Sequence, residues 1–263
     1  MKDVLTEIIS HKKIEVAQLK EQTSVEELKK AILEKDLGDV VSMKQSLGSS
    51  PYGIISEFKR RSPSKGWINE NGVALEVTTA YENAGASAVS VLTDEKYFGG
   101  HLNDLISVST TLKIPKLRKE FIVDEIQLYQ ARLAGADAVL LIASALEIEE
   151  CLHLSKVAKG LGLEILLEIH TEEEIAHVNE YVDMVGVNNR NLGTFKTTLD
   201  NSIRLAPLLP KDKLLVSESG IRTADDIKML RKHGFRGFLI GETFMRTENP
   251  GAALKEFIQQ IND

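Results

Sequence analysis

Cysteine is almost absent from this sequence, because Cys151 is the one cysteine among 263 residues. A single cysteine excludes an intramolecular disulfide, and sparing use of cysteine is typical of a reducing compartment, so a cytoplasmic location is expected. Cys151 lies in a segment with helical periodicity, where we expect it only to pack. The six histidines show no ligand spacing such as H-E-x-x-H, so the sequence offers no convincing metal site.

Long apolar runs and an excess of positive charge are also missing. No apolar run approaches the roughly 20 residues of a membrane span, and residues 1–5 pass into alternating charges without a signal-type apolar core. The formal net charge of -7 argues against nucleic acid or an anionic membrane as a partner. A phosphate group would therefore have to meet a local cluster of positive groups.

The sequence shows no linker and no low-complexity segment, and 43% of its residues are hydrophobic, which is enough for a large core. A single domain over residues 1–263 is predicted. Within it, residues 1–48 are predicted to form an extension of amphipathic helices that packs on the rest of the domain. The apolar positions of its first helix recur at helical spacing, at Val4, Leu5, Ile8, Ile9, Val16 and Leu19.

From residue 53 onward, short apolar and β-branched runs alternate with segments of helical periodicity. The predicted strands are Gly53–Phe58, Ala88–Leu92, Ile114–Leu117, Ala138–Ile142, Glu164–Ile169, Met184–Val187, Leu214–Val216 and Gly237–Ile240. Clear helical segments are Ala74–Ala84, Glu125–Ala134, Glu147–Leu161 and Asp225–Lys232. Eight strands that alternate with helices predict a parallel sheet buried on both faces. The count favours closure into a (β/α)8 TIM barrel, and no G-x-G-x-x-G follows the first strand to support a dinucleotide-binding sheet.

Capping patterns mark the predicted starts of several helices. They begin at Ser24, Ser144, Thr171 and Thr223, and an acidic residue stands three positions after each of them. Gly85 and Gly135 stand in repeated Ala-Gly-Ala segments, each just before a strand. Glycine is expected to end a helix there and to open a short turn.

Polar and charged residues occur where the predicted strands end, and in a barrel that end carries the chemistry. Glu57 and Lys59 are two residues apart, so they point to the same face of an otherwise apolar strand, which is costly unless they are paired or used. At or just after the ends of later predicted strands stand Lys119, Glu168, Asn188, Asn189, Arg190, Glu218 and Glu242. Each residue alone fits a plain structural reading as an ion pair, a solvated strand end or a turn former. Their convergence on one rim of a closed barrel favours a functional site.

Two loops have the character of anion cradles. Ser219-Gly220-Ile221 and Gly241-Glu242-Thr243 each follow a predicted strand and lead into a helical segment. Small residues let backbone N–H groups approach a phosphate, and a helix N-terminus adds partial positive charge. The loops after the seventh and eighth strands are a frequent phosphate site in TIM barrels.

Five motifs at these positions together resemble the indole-3-glycerol-phosphate synthase family. They are S-E-F-K-R-R-S-P-S at 56–64, L-R-K-E-F-I at 117–122, E-I-H at 168–170, V-N-N-R-N-L at 187–192 and S-E-S-G-I at 217–221. The resemblance runs from the N-terminal helices through the last barrel helix, so it covers essentially the whole chain. It implies a TIM barrel with an N-terminal helical extension and a carbon–carbon lyase that needs no metal and no cofactor.

The resemblance implies the conversion of 1-(2-carboxyphenylamino)-1-deoxyribulose 5-phosphate into indole-3-glycerol phosphate, with loss of carbon dioxide and water, in tryptophan biosynthesis. Ring closure adds the anilino ring to a ketone, and by resemblance Lys119 is the general acid that protonates the carbonyl oxygen. Lysine with a free pKa of roughly 10.4 suits donation at neutral pH. Lys59 is implied to bind the substrate carboxylate and to protonate the departing hydroxyl.

The remaining site residues are carried over from the same resemblance. Glu57 and Glu168 would act as base and as stabiliser of positive charge on the nitrogen, Asn188 would bind substrate hydroxyls, and Glu218 would orient the lysines. The phosphate would be held by, or lie next to, Ser62, Arg190, Ser219, Gly220, Gly241 and Glu242. Phe121 and Leu140 would wall the aromatic ring.

Three positions depart from the family pattern. Glu120 and Asn191 stand where the family usually has aspartate, and Lys116 stands at a usually apolar position. Lys116 is expected to point outward, with its long stem between helices. The charged loop Arg60–Asn71, which contains Gly66, is a candidate mobile lid.

The sequence alone leaves alternatives open. Another phosphosugar enzyme on the same scaffold, either an isomerase or a Schiff-base aldolase, could use a buried lysine. A non-catalytic protein that binds a phosphorylated ligand is the alternative from another class, although binding alone does not need both acids and bases. The expected partner is a phosphorylated small molecule, and a monomer is expected, with a weak homodimer as the alternative.

Overall fold

The computed structural model describes residues 4–191 and 196–262, so Leu192 of the fourth motif lies outside the described residues. The extension predicted over residues 1–48 is helical, and it contains three helices before the first strand: α1 (Val4–Gln22), α2 (Val25–Glu34) and α3 (Met43–Ser49). Ser24 caps α2 in a complete capping box with Glu27, which confirms the predicted start of that helix. None of the described helices is long and apolar enough to span a bilayer.

Eight parallel strands close into a barrel, which confirms the TIM-barrel prediction. The first strand is β1 (Ile54–Phe58), and the pair β2 (Arg61–Ser62) and β3 (Gly66–Trp67) forms a small antiparallel ribbon outside the barrel. The other barrel strands are β4 (Ala88–Leu92), β5 (Lys116–Lys119), β6 (Ala138–Ile142), β7 (Glu164–Ile169), β8 (Met184–Asn188), β9 (Leu214–Glu218) and β10 (Phe235–Ile240). Pairing of β1 with both β4 and β10 closes the cylinder.

Helices follow the barrel strands on the outside. They are α4 (Ala74–Ala84), α5 (Leu102–Ser109), α6 (Ile126–Leu133), α7 (Ile148–Gly160), α8 (Asp200–Leu205), α9 (Ala224–Lys232), α10 (Glu242–Met245) and α11 (Pro250–Asn262). α4 has its predicted bounds and ends on Gly85 in the left-handed conformation. Gly135 also has a positive φ, two residues after the end of α6. Thr223 and Asp226 form the predicted capping box of α9.

Two predicted helix starts are wrong. Residues Ala143–Ala145 form a single 3-10 turn, and α7 is capped instead by Glu147, whose own box partner is Glu150. Thr171 does not start an α-helix either, because the segment that follows it, Glu173–His177, is a short 3-10 helix. The Glu174 carboxylate accepts a hydrogen bond from the backbone N–H of His170, so it closes a turn rather than a helical cap.

The third barrel strand begins two residues later than predicted. Pro115 has no backbone N–H to donate to the sheet, so the strand starts at Lys116 and reaches Lys119 at its other end. Lys116 does point away from the barrel interior, but its ammonium group does not reach solvent. The residue is 4% exposed, and its Nζ lies 2.7 Å from Asp137 Oδ2, so an internal ion pair replaces the expected surface position.

The barrel interior is filled from below by α3. Met43 and Leu47 of this helix are fully buried and pack into the interior cluster. The strands contribute Ile55, Ala88, Leu117, Ala138, Leu140, Ile142, Leu166, Met184, Val216 and Leu239 to the same cluster. Cys151 is buried between the strands and the outer helices, as predicted. With the N-terminal end of the barrel plugged, the space for a ligand lies at the carboxyl ends of the strands.

Candidate active site

The charged groups of the site stand one layer above the apolar interior of the barrel. Side chains alternate along a strand, so Glu57, Lys119, Glu168 and Glu218 point to the same side as the interior residues two positions before them. Those interior residues are Ile55, Leu117, Leu166 and Val216. The four charged residues line one cavity with Lys59 and Asn188. This cavity encloses about 940 Å3 of empty space, part of it open to solvent.

Each lysine of the cavity is held by carboxylates. Lys119 Nζ lies 2.6 Å from Glu218 Oε2 and 3.1 Å from Glu168 Oε2. Lys59 Nζ lies 2.6 Å from Glu57 Oε1. Glu168 and Glu218 therefore meet Lys119 although they stand 49 and 99 positions after it in the chain. The arrangement places two ammonium groups and three carboxylates in one enclosed space, where charges interact more strongly than in water.

Lys119, Glu218 and Glu168 differ in how firmly they hold a proton. Burial alone would lower the pKa of Lys119, but the carboxylates of Glu218, Glu168 and Glu57 outweigh burial and raise that pKa above its usual value. Burial also raises the pKa of Glu218, to about 7, because the charge of Glu168 offsets part of the benefit from Lys119. Burial acts the same way on Glu168, but Lys119, His170 and Asn188 together lower its pKa to about 2. Neighbouring carboxylates with separated pKa values are typical of catalytic sites.

The position of the Glu168 carboxylate is fixed by further contacts. Asn188 Nδ2 donates to Glu168 Oε1 at 3.0 Å, and His170 Nε2 lies 3.4 Å from the same oxygen. Asn188 also holds the loop that follows β8, because its Oδ1 accepts a hydrogen bond from the backbone N–H of Arg190 at 3.0 Å. Asn189, counted above among the polar residues of the rim, is buried and donates to Ser217 Oγ and to the backbone of Glu218. It supports the end of β9 and does not line the cavity.

Two glycines make room for the carboxylates. A Cβ atom on Gly186 would lie 2.1 Å from Glu218 Oε1, and one on Gly241 would lie 2.5 Å from Glu57 Oε1. Real Cβ atoms do not approach this closely, so a side chain at either position would displace the carboxylate. Gly241 therefore serves the Glu57 carboxylate as well as the loop that follows β10.

A second cavity, of about 1030 Å3 including open solvent, adjoins the first on the side of β9 and β10. Its lining includes the predicted phosphate residues Arg190, Ser219, Gly220, Gly241 and Glu242. Ser219 and Gly220 have φ values of 66° and 82°, so the backbone turns sharply after β9. The lining also includes the basic residues Lys59, Lys65, Arg222 and Arg246.

Arg190 stands where the two cavities meet. Its Nη1 donates to Ser64 Oγ at 3.1 Å, and its Nη2 lies 3.5 Å from Glu242 Oε2. Ser62 is buried and lines the first cavity, and its hydroxyl has no hydrogen-bond partner among the described residues. A guanidinium group that borders both cavities and an unpaired hydroxyl in the first cavity suit an anionic group.

The first cavity also has an apolar part. Phe121 and Leu140, the predicted walls for an aromatic ring, both line it. The ring of Phe98 packs against that of Phe121 with centroids 5.8 Å apart and an interplanar angle of 38°. Val4, Leu5 and Ile8 of α1 complete the apolar lining, so the N-terminal helix lies over the site.

All of the site residues predicted from the sequence line one of these two adjoining cavities. Residues of the lining that the prediction missed include Ser64, Phe98 and the apolar face of α1. The apolar spacing of α1 was visible in the sequence, but spacing alone does not say which surface a helix covers. Phe98 lies in the loop between β4 and α5, six residues after the end of β4, and attention to aromatic residues in the loops after strands would have found it. Among the described residues, no group of three His, Cys, Asp or Glu side chains could hold a metal ion.

The chain is similar to known proteins of one family over nearly its whole length. The family model described as indole-3-glycerol phosphate synthase matches residues 5–257. A protein of that name from Bacteroides thetaiotaomicron is 54% identical over 261 residues, which cover 99% of this chain and 100% of the relative. A second, from Polynucleobacter asymbioticus, is 39% identical over 264 residues and covers 97% of this chain and 99% of its own. Among solved structures, tryptophan synthase subunit alpha from Legionella pneumophila matches with a TM-score of 0.62 at 15% identity, over 84% of this chain and 98% of that one, which shows the fold alone.

Proposed function

The chain belongs to the indole-3-glycerol phosphate synthase family, and from that premise we propose how its residues carry out the reaction. The chain is a carboxy-lyase of tryptophan biosynthesis. It converts 1-(2-carboxyphenylamino)-1-deoxyribulose 5-phosphate into indole-3-glycerol phosphate, carbon dioxide and water. The observation that carries the assignment of residues is the single cavity in which Lys59 and Lys119 each face a carboxylate.

In the proposed binding mode the substrate extends along the two cavities. Its aromatic ring lies between Phe121 and Leu140, and its phosphate lies at the turn of Ser219 and Gly220. Arg190, at the boundary, contributes positive charge to the phosphate end. The substrate carboxylate is then next to Lys59, whose ammonium group is the cation nearest to Glu57. Fixing both ends of the substrate brings its reacting carbon atoms together, which lowers the entropic cost of ring closure.

Ring closure is assigned to Lys119. The ring carbon that bears the carboxylate attacks the ketone carbon, a carbon–carbon bond forms, and the carbonyl oxygen takes a proton from Lys119 Nζ. The nitrogen lone pair supplies electrons to the ring during the attack, so positive charge develops on the nitrogen. Glu168, whose lowered pKa keeps it ionised, stabilises that charge.

Glu218 completes the assignment for this step. It lies 2.6 Å from Lys119 Nζ and orients the ammonium group towards the ketone. With a pKa raised to about 7, it also carries a proton in part of the molecules near neutral pH. That proton is available to reload Lys119 after donation. Asn188 holds Glu168 in place and has its amide next to the substrate hydroxyls.

The later steps are assigned to Lys59 and Glu57. Carbon dioxide leaves with its bond electrons returning to the ring, which restores aromaticity and neutralises the nitrogen. Lys59 then protonates the hydroxyl on the ring carbon, and water departs. Glu57 accepts the proton from the neighbouring carbon, and the indole double bond forms. The 2.6 Å separation between Lys59 Nζ and Glu57 Oε1 supports paired acid and base work.

A Schiff-base aldolase is the alternative that the geometry disfavours most clearly. Such an enzyme needs a neutral lysine as its nucleophile, and that lysine usually has a lowered pKa. The pKa of Lys119 is shifted the other way, because two carboxylates stabilise its charged form. An isomerase would keep the substrate carboxylate, so it would release no carbon dioxide.

We predict that Lys119→Ala abolishes turnover and leaves substrate binding largely intact. General acid catalysis is worth about 10²–10⁴-fold in rate, so indole formation should fall by at least that factor. Product is measured by indole fluorescence, and substrate affinity by titration calorimetry.

The matched control is Lys113→Ala, an exposed lysine that precedes the same strand. It should keep the wild-type rate. Near-normal turnover in Lys119→Ala would show that the acid assignment is wrong. A cytoplasmic location, a monomeric state and movement of the loop Arg60–Asn71 during binding stay predictions.

A further inference from the structure

Lys12 of α1 is a buried lysine that the proposed mechanism does not use. It is 4% exposed, although the rest of its helix face is apolar, with Leu5, Ile8 and Val16 buried beside it. Its Nζ lies 2.5 Å from Glu15 Oε2, 3.0 Å from Asp94 Oδ2 and 3.0 Å from Glu120 Oε1. A buried charge is tolerated only when such partners surround it.

The two barrel carboxylates that face Lys12 also hold the aromatic end of the cavity. Asp94 follows β4, and its Oδ1 accepts from the backbone N–H of Tyr97 at 2.8 Å and of Phe98 at 3.2 Å. Glu120 follows β5, and its Oε1 accepts from the backbone N–H of Phe121 at 2.9 Å. The rings of Phe98 and Phe121 pack on each other and line the cavity.

Further hydrogen bonds fix the Glu120 carboxylate. Thr93 Oγ1 donates to Glu120 Oε2 at 2.7 Å, and Arg118 Nη2 lies 3.8 Å from the same oxygen. Arg118 is itself held by the backbone carbonyl of Gln127 at 2.8 Å. Glu120 is therefore fixed on the barrel side, and Lys12 is the group that joins it to α1. Glu120 adjoins Lys119 in the sequence, but the two side chains have different partners. Glu120 contacts Lys12 and Thr93, whereas Lys119 contacts Glu168 and Glu218.

The same lysine sets the position of the helix over the site. Ile8 lies one helical turn before Lys12, and residues four apart share a face of the helix. Ile8, Leu5 and Val4 line the cavity from above. Movement of Lys12 away from its partners would therefore shift the apolar lining of α1 as well as the segments that carry Phe98 and Phe121.

We infer that Lys12 is a positioning residue for the aromatic end of the substrate. Through Asp94 and Glu120 it holds the two aromatic walls in register with α1, without touching the reacting atoms. This inference rests on the proposed function, because it needs a substrate with an aryl group. Among the described residues, none of the hydrogen bonds or ion pairs of Lys12, Asp94 and Glu120 given above reaches Ser219 or Gly220, where we propose that the phosphate binds.

The test is Lys12→Met, which keeps the length of the side chain and removes its charge. The KM for the carboxyphenylamino substrate should rise about three- to tenfold, the range expected from loss of ordered aromatic contacts. The kcat should stay within about twofold, because the reacting groups are not displaced. The inhibition constant of 1-deoxyribulose 5-phosphate, which lacks the aryl group, should stay at its wild-type value.

This split between the two ligands separates positioning from general damage to the fold. Lys13→Met, an exposed neighbour on the same helix, is the matched control and should leave both constants unchanged. If Lys12→Met does not fold, because it takes one buried cation away from Asp94, Glu120 and Glu15, Lys12→Met/Glu120→Gln is measured in its place. Glutamine keeps an oxygen for the N–H of Phe121 and removes one of the negative charges that Lys12 faced.

An unchanged KM, or equal losses of affinity for the ligands with and without the aryl group, would overturn the inference. Absence of indole product from the wild-type chain would instead remove the proposed function. That result is seen before any variant is compared, so the two failures are distinguishable.

Discussion

Gly186 is the residue on which the position of the Glu218 carboxylate depends most directly. It lies on β8 and points into the barrel, where a Cβ atom would stand 2.1 Å from Glu218 Oε1 and 3.2 Å from Leu166 Cδ1. The space that a side chain of residue 186 would take is thus occupied by the Glu218 carboxylate, which belongs to the neighbouring strand β9. The contact between Glu218 and Lys119, at 2.6 Å, follows from this close approach.

We expect Gly186→Ala to lower kcat/KM by about 10²-fold, because displacement of a catalytic contact by about an ångström has effects of that order. The variant should fold, since Glu218 can turn towards the open cavity. Steady-state kinetics with indole fluorescence measures the effect. The matched control is Gly160→Ala in α7, where a Cβ would meet nothing within 4 Å. Full activity in Gly186→Ala would mean that the geometry around Glu218 does not matter for catalysis.

At the residue scale, part of the site could be read from the sequence. The spacing of Glu57 and Lys59 on one strand face indicated their ion pair, which the structure has at 2.6 Å. The contacts of Lys119 with Glu168 and Glu218 could not be derived in this way, because they depend on how distant strands close into a barrel. Lys12 was overlooked, although a charged residue on the apolar stripe of α1 was itself a signal.

At the scale of elements, the extension does two separate tasks at the two ends of the barrel. α1 lies over the carboxyl ends of the strands, where it lines the cavity. α3 fills the opposite end, where Met43 and Leu47 pack among the inward residues of the strands. Stability and activity should therefore depend on different parts of the same extension.

We predict that Leu47→Ala destabilises the protein by about 2–5 kcal/mol, because it removes a fully buried side chain from the plug of the barrel. The KM should stay at the wild-type value, since the plug is at the end of the barrel away from the cavity. Urea denaturation measures the loss of stability, and kinetics at low temperature measures the KM. The control is Leu33→Ala on α2, where the side chain is 86% exposed and the expected change is below about 0.5 kcal/mol. Equal stability of the two variants would contradict the role given to α3.

The strands were predicted well because each is a short apolar run between turn signals. Their ends were less certain: polar residues such as Asn188 and Glu218 belong to β8 and β9, although their side chains end the apolar pattern. The segment between β7 and β8 shows the opposite error. A capping pattern at Thr171 predicted an α-helix, but the residues that follow form only a 3-10 turn. The connection between β7 and β8 is short, so the capping pattern did not decide the structure there.

At the scale of the whole molecule, the closed barrel explains why scattered motifs form one site. Closure brings the carboxyl ends of all eight strands to one rim, and α1 covers the apolar part of that rim. Four basic residues of this acidic chain, Arg190, Lys65, Arg222 and Arg246, line the cavity in which we propose that the phosphate binds. That a phosphate meets a local cluster of positive groups there stays a prediction.

The sequence also revealed the fold class, because alternation of strands and helices is a repeating signal. It could not reveal the depth of the cavity, the cover formed by α1 or the pairing around Lys119. These features depend on contacts between residues that are far apart in the chain. Family motifs supplied the site residues, and the structure supplied the distances from which their roles are argued.

The most direct test of the central claim is to measure carbon dioxide and indole together, with substrate labelled at its carboxylate carbon. Protonation of the ketone by Lys119 must precede loss of carbon dioxide in the proposed sequence. The wild-type chain should therefore release one carbon dioxide for each indole, and Lys119→Ala should release neither. Labelled carbon dioxide from Lys119→Ala without indole would contradict the account, because decarboxylation would then not depend on ring closure.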